Sequence, residues 1–177
     1  MPPSDAFAAK LQEQIANEFA AEHQYIACAV YYDSEALPEL ARFFYRQALE
    51  ERGHALMMVQ FLLDTGTEPT LPGIDAPRSS FADVVGPIAL AVQQEQLVSE
   101  QINALAALAR DEGDYISEQF IQWFIREQIE EVATMSGLLR VAQRSVADVS
   151  AIEDFIVREH QGADREDPTA PRAAGSA

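Results

Sequence analysis

Cysteine is almost absent from this chain: Cys28 is the only one in 177 residues. No intrachain disulfide can form, and an iron site built on four thiolates is excluded. Basic residues are also few. Twelve Lys and Arg stand against 29 Asp and Glu, for a net charge of −17. That balance argues against nucleic acid and against an anionic membrane as partners. It suits a protein that attracts cations, although any acidic soluble protein shares it. Long apolar runs are missing: the longest, Tyr25 to Tyr32, is too short to span a bilayer. The N-terminal Met-Pro-Pro-Ser-Asp has no basic region followed by an apolar stretch, so no signal peptide is expected and the cytoplasm is the default location. Glycine and proline are scarce outside residues 66–87 and 162–175.

What remains is rich in Ala, Leu, Glu and Gln, all good helix formers. Hydrophobic residues make up 48% and charged residues 23%, which suits one globular domain with a sizeable core. Four long segments repeat apolar residues at helical spacing. The first is expected over about Asp5 to Ser34, capped by Ser4, with Leu11, Ile15, Glu18, Tyr25, Ala29 and Tyr32 on one stripe. The second runs from Pro38, suited to a first helical position, to Thr65, with Gly66 ending it. Its stripe is Leu40, Phe44, Gln47, Glu51, His54, Met58 and Phe61. The third covers about Ala82 to Glu112, with Ile88, Val92, Glu95, Val98, Ile102 and Leu105; Gly113 closes it. Asp114 caps the fourth, which reaches about Arg144 and carries Ile121, Phe124, Gln128, Glu131, Met135 and Leu138. A short fifth helix fits Asp148 to His160. Residues 1–160 therefore read as one helical domain. Residues 161–177, rich in Ala, Pro, Asp and Gly, read as a disordered tail.

Connection lengths set the topology. Short links make the first and second helices antiparallel, and likewise the third and fourth. The stretch from Gly66 to Phe81 is long. Fully extended it spans roughly 53 Å, whereas a helix of nearly thirty residues is roughly 42 Å long. The link can travel the whole bundle, and Pro69, Pro72 and Pro77 favour an extended path. The expected fold is all-α: a four-helix bundle with one long crossover between helices two and three, plus a short fifth helix.

The apolar stripes carry polar residues at their centres. Glu18, Glu51, His54, Glu95, Gln128 and Glu131 each sit near the midpoint of a helix. Midpoints of bundled helices meet at one height. Any one of these residues alone reads as a packing-boundary or hydrogen-bonded core residue. Six at one height do not. Burying a single unpaired carboxylate costs several kcal/mol, and no Arg or Lys on these stripes lies near the layer. Four carboxylates with one imidazole suit a hard or borderline metal such as iron or manganese. Glu51-x-x-His54 places both side chains on one helix face.

These pieces resemble the bacterial non-haem ferritins over residues 5–160. The resemblance rests on Asn17-Glu18-Phe19 with Tyr25, on Glu50-Glu51-Arg52-Gly53-His54, on Glu95, and on Phe124 to Glu131. It implies a ferritin-like bundle, iron storage, ferroxidase activity towards Fe(II) with dioxygen, and a homo-oligomeric shell of twenty-four subunits. One iron of a di-iron centre would be held by Glu18, Glu51 and His54. The second would be held by Glu95 and Glu131, with Glu51 bridging and with Gln128 and Tyr25 as weak or supporting partners. Glu50, Glu127 and Glu130 match a third iron position. Each also lies one position before a core-stripe residue, about 100° away around its helix, so a solvated acidic face explains them equally on spacing. Bacterioferritins differ in repeating Glu-x-x-His on helix four, where this chain has Gln128 and Glu131. They also carry a haem-ligating Met where this chain has Arg52, so no haem is expected. Glu22 and His23 read as solvated, His160 as surface, and Trp123 as core or subunit contact. Two other readings remain open at this level: a storage shell without oxidase activity, and a non-storage di-metal oxidase or peroxidase on the same fold. The tail is expected to be dispensable for assembly, with an address for a partner protein as its possible role.

Overall fold

The computed structural model describes residues 2–71, 73–160 and 167–176. It consists of α1 (Asp5–Ser34), α2 (Pro38–Asp64), α3 (Gly86–Asp111), α4 (Tyr115–Arg144) and α5 (Ser150–His160). The caps follow side-chain chemistry. The Ser4 hydroxyl accepts from the Phe7 amide, and Asp114 accepts from the Ser117 amide. Gly66 and Gly113, at φ 83° and 67°, close α2 and α3 in the left-handed region that glycine adopts without strain. The third helix begins at Gly86 rather than Ala82. Asp83 takes the amides of Val85 and Gly86 on its carboxylate, which holds this stretch in a turn.

Three contacts trace the crossover. The Thr70 amide donates to Gln12, the Gln24 amide group clamps both the N–H and the carbonyl of Arg78, and Phe81 packs on Tyr31. The link therefore climbs alongside α1 from its N-terminal third to its last turn. There the Tyr32 hydroxyl donates to the Val84 carbonyl. So α3 starts at the top of the bundle, parallel to α2, as the length argument requires.

The apolar core comes in two clusters. One joins Tyr25, Tyr32, Leu40, Phe44, Ile88, Leu138 and Ile152. The other joins Phe7, Leu11, Ile15, Met58, Leu62, Ile102 and Phe124. The polar layer lies between them. At the upper end α5 packs on α2, where Glu153 accepts hydrogen bonds from the amides of Glu39 and Leu40 at 2.8 and 2.9 Å. These amides have no partner within their own helix, and Leu37 offers no side-chain cap. His160 is half-buried and packs between Phe43 and Phe155, not on open surface.

The expectation of an unstructured tail meets a different arrangement in residues 167–176. Asp167 accepts from the Trp123 indole N–H at 2.8 Å, the Ala174 amide donates to the Leu56 carbonyl, and Ala170 and Ala174 pack against the lower cluster. Such a segment is too poor in apolar residues to build a core. Here it borrows a surface that α2 and α4 already provide. The expectation for 161–166 lies outside the described residues.

Candidate metal centre

Glu18 of α1, Glu51 and His54 of α2, Glu95 of α3, and Gln128 and Glu131 of α4 are all buried. Helical periodicity turns each inward, and the bundle brings their midpoints to one level. Glu18, Glu51 and Glu95 are each only 1% exposed.

The three most buried carboxylates share a pattern. One oxygen of each is engaged and the other is bare. Glu18 Oε1 accepts from Gln14 Nε2 at 2.8 Å, Glu51 Oε2 lies 3.3 Å from His54 Nδ1, and Glu95 Oε1 accepts from the Tyr25 hydroxyl. Glu18 Oε2, Glu51 Oε1 and Glu95 Oε2 are buried and accept from no N–H or O–H donor when the carboxyls are ionised, and Glu18 and Glu51 are close enough to share a proton. A buried polar atom without a partner costs about 1–3 kcal/mol, and more when charged. Three such oxygens from three helices in one layer fit a bound cation. Glu18, Glu51 and His54 each offer a ligand atom within 4.8 Å of the others. Packing holds the His54 ring in place: Trp123 and Phe124 meet it edge-on, at centroid distances of 5.7 and 5.8 Å.

The electrostatics agree. Burial first, then repulsion from Glu51, holds the Glu18 carboxyl well above the usual carboxylate range. Burial and then Glu95 do the same to Glu51, and burial and then Glu50 do the same to Glu131. Burial pushes Glu95 up to about 7, against the Tyr25 hydrogen bond that lowers it. A bound cation would compete with protons for these carboxylates and leave them ionised.

The α3–α4 side of the layer is arranged differently. Glu95 and Glu131 stand there, and the Ser99 hydroxyl, with one proton to give, lies 2.8 Å from the Glu95 main-chain carbonyl and 3.0 Å from Gln128 Oε1. Gln128 lies close enough to Glu95 to increase the acidity of that carboxyl. The Gln128 oxygen thus faces Ser99 and keeps a lone pair for a further partner.

Glu50 and Glu130 are exposed and Glu127 is half-buried. Gln47 donates to Glu50. Glu127 is raised by burial and then by the charges of Glu130 and Glu50, which places the three within electrostatic reach of one another. Arg52 is exposed, as is His23, and Glu22 is half-buried. Two residues of the layer escaped the sequence reading: Gln14 and Ser99. Both are polar, and each lies one helical turn from a ligand candidate, at Glu18 minus four and Glu95 plus four. That spacing was their signal.

The chain matches the ferritin-like domain family over residues 8–145. It is 54% identical over 171 residues to the ferritin BfrB of Mycolicibacterium smegmatis, covering 97% of this chain and 94% of that one. It is 36% identical over 126 residues to the bacterial non-heme ferritin of Staphylococcus epidermidis, covering 71% of this chain and 76% of that one. Its fold superposes with a TM-score of 0.84 on the open-pore ferritin of the archaeon Archaeoglobus fulgidus, at 25% identity over 88% of this chain and 95% of that one. Together with the crossover bundle and its acidic layer, this shows that the chain belongs to the ferritin family.

Proposed function

We propose that the protein stores iron and oxidises it: Fe(II) enters the buried acidic layer, is oxidised there by dioxygen, and passes on as ferric mineral inside a shell. The observation that carries this reading is the convergence of ligand atoms from Glu18, Glu51 and His54 within 4.8 Å of one another in a buried acidic layer. Relatives named as ferritins over nearly the full chain support it. Carboxylates are hard anions that stabilise Fe(III) over Fe(II), so they favour oxidation. Two irons side by side deliver two electrons to one dioxygen, which avoids release of superoxide.

In this reading Glu18, Glu51 and His54 hold the first iron. Glu95 and Glu131 hold the second, with Glu51 between them. Tyr25 orients Glu95. Gln128 serves the second position through Glu95 unless it turns its oxygen inward. Glu50, Glu127 and Glu130 form a third position that hands iron to the cavity. Replacing Glu50 and Glu130 with Ala is expected to slow mineral growth and change the iron-to-oxygen ratio while the first fast turnover survives. No haem belongs to this reading, because a guanidinium at Arg52 cannot ligate iron.

The chain acts as a homo-oligomer. Ile26, Val30, Tyr45 and Leu49 are exposed along α1 and α2, an apolar strip of the kind that subunits bury. Twenty-four copies and a cytoplasmic location complete the reading. No described helix is long and apolar enough to cross a membrane. Two measurements test it. Mass in solution should be several hundred kilodaltons; a small oligomer would favour the non-storage oxidase. Fe(II) added without air and then exposed to oxygen should give ferric absorbance far faster than in buffer alone; an uncatalysed rate overturns the ferroxidase assignment.

A further inference from the structure

Gln14 is 2% exposed, one turn before Glu18 on the inner face of α1. A buried primary amide has to satisfy two donors and an acceptor. Gln14 Nε2 donates to Glu18 Oε1 at 2.8 Å, and Gln14 Oε1 accepts from Asn17 Nδ2 at 3.2 Å. The second bond braces the first. An amide can turn either end towards a neighbour. An ionised carboxylate only accepts, so Glu18 takes the Gln14 nitrogen, and an Asn17 N–H then satisfies the Gln14 oxygen. Glu18 is therefore gripped by one oxygen, and its Oε2 is the oxygen left bare in the layer.

We infer that Gln14, braced by Asn17, is a positioning residue that aims Glu18 Oε2 at the first metal position. The inference rests on the reading of Glu18 as a ligand there. The chemistry is specific. A hydrogen bond to an ionised oxygen is shorter and stronger than a neutral one, and it fixes the side-chain rotamer. Partners of metal ligands orient them and raise affinity by about 10–100-fold. Glu51 and Glu95 are held through His54 and Tyr25, both already parts of the site. Glu18 is held by a residue with no other visible task. Asn17 is half-buried in the groove between α1 and α3, so the chain Asn17–Gln14–Glu18 runs from the subunit surface to the metal layer.

The test uses the intact assembly and Zn(II), a redox-inert probe, by calorimetry. Glu18→Ala in the same experiment identifies the binding step that belongs to the first position. Gln14→Met keeps the length and volume of the side chain but has no donor. It is expected to weaken that step about tenfold, leave the other steps alone and leave the melting temperature of the metal-free protein unchanged. Asn17→Ala removes the brace on the Gln14 oxygen and should weaken the same step by a smaller factor. In oxidation kinetics, Gln14→Met should raise the Fe(II) concentration for half-maximal rate while the plateau rate holds. If Gln14→Met lowers only the melting temperature and Zn(II) binds as in wild type, Gln14 is a packing residue and the inference fails. If Glu18→Ala itself binds Zn(II) like wild type, the ligand assignment fails first and takes this inference with it.

Discussion

The two sides of the polar layer are built from similar residues but organised differently. On the α1–α2 side, Glu18, Glu51 and His54 offer ligand atoms within 4.8 Å of one another. Two helices joined by a short turn supply all three, and Gln14 and the aromatic walls of Trp123 and Phe124 fix their directions. On the α3–α4 side, Glu95 is tied to Tyr25, and Gln128 gives its oxygen to Ser99. No trio of His, Cys, Asp or Glu ligand atoms converges there among the described residues. A site assembled in advance has already met its ordering cost. One that is not must draw that cost from binding. The first position should therefore fill before the second, and the second should release its iron more readily, as turnover requires.

The largest test of this contrast removes the residue common to both sides. Glu51→Ala is expected to lower the fast oxidation rate by more than the roughly 100-fold seen for partners of metal ligands, with the shell still assembled. Replacing a buried charge need not harm stability. Stopped-flow absorbance and solution mass read both properties, and a wild-type rate would remove the bridging assignment.

Next in size is a matched pair. Glu18→Ala should abolish tight anaerobic Fe(II) binding, whereas Glu131→Ala should leave the first Fe(II) within about twofold of wild type and lose the second. Equal losses in the two variants would mean that the sides are not organised differently.

A smaller effect comes from protons. Burial raises Glu95 from 4.5 to about 7, so the folded chain holds this proton more tightly than the unfolded chain does. The resulting stability is complete below about pH 4.5 and is lost as pH rises through 7. The melting temperature of metal-free protein should fall over that window more steeply in wild type than in Glu95→Gln, and bound Zn(II) should cancel the difference. Identical slopes with and without the carboxyl would refute the shift.

The smallest effect concerns Ser99. A neutral hydrogen bond contributes about 1 kcal/mol, and Ser99→Ala frees the Gln128 oxygen to face the metal. The second position should bind at most about fivefold more tightly and turn over more slowly, because the Ser99 proton is shared with the Glu95 carbonyl. Unchanged binding would show that Gln128 does not hold back a ligand.

Much of this was legible in the residues. Apolar spacing, Gly66, Gly113, Asp114 and the length of the 66–81 link determine four helices and a crossover, because each acts through local geometry or chain reach. The height of Glu18, Glu51, His54, Glu95, Gln128 and Glu131 follows from the same periodicity. Other features depend on which surfaces meet, and the one-dimensional pattern does not carry that. Glu153 caps a helix more than a hundred residues before it, and Asp167 finds the Trp123 indole across the bundle. The same holds inside the site. The sequence by itself determined that carboxylates and an imidazole share one buried layer, since charge and helical phase suffice for that. Only the tertiary structure decided which oxygen of each carboxylate is held and which is bare, because a hydrogen bond depends on ångström-scale distances between side chains that periodicity does not fix.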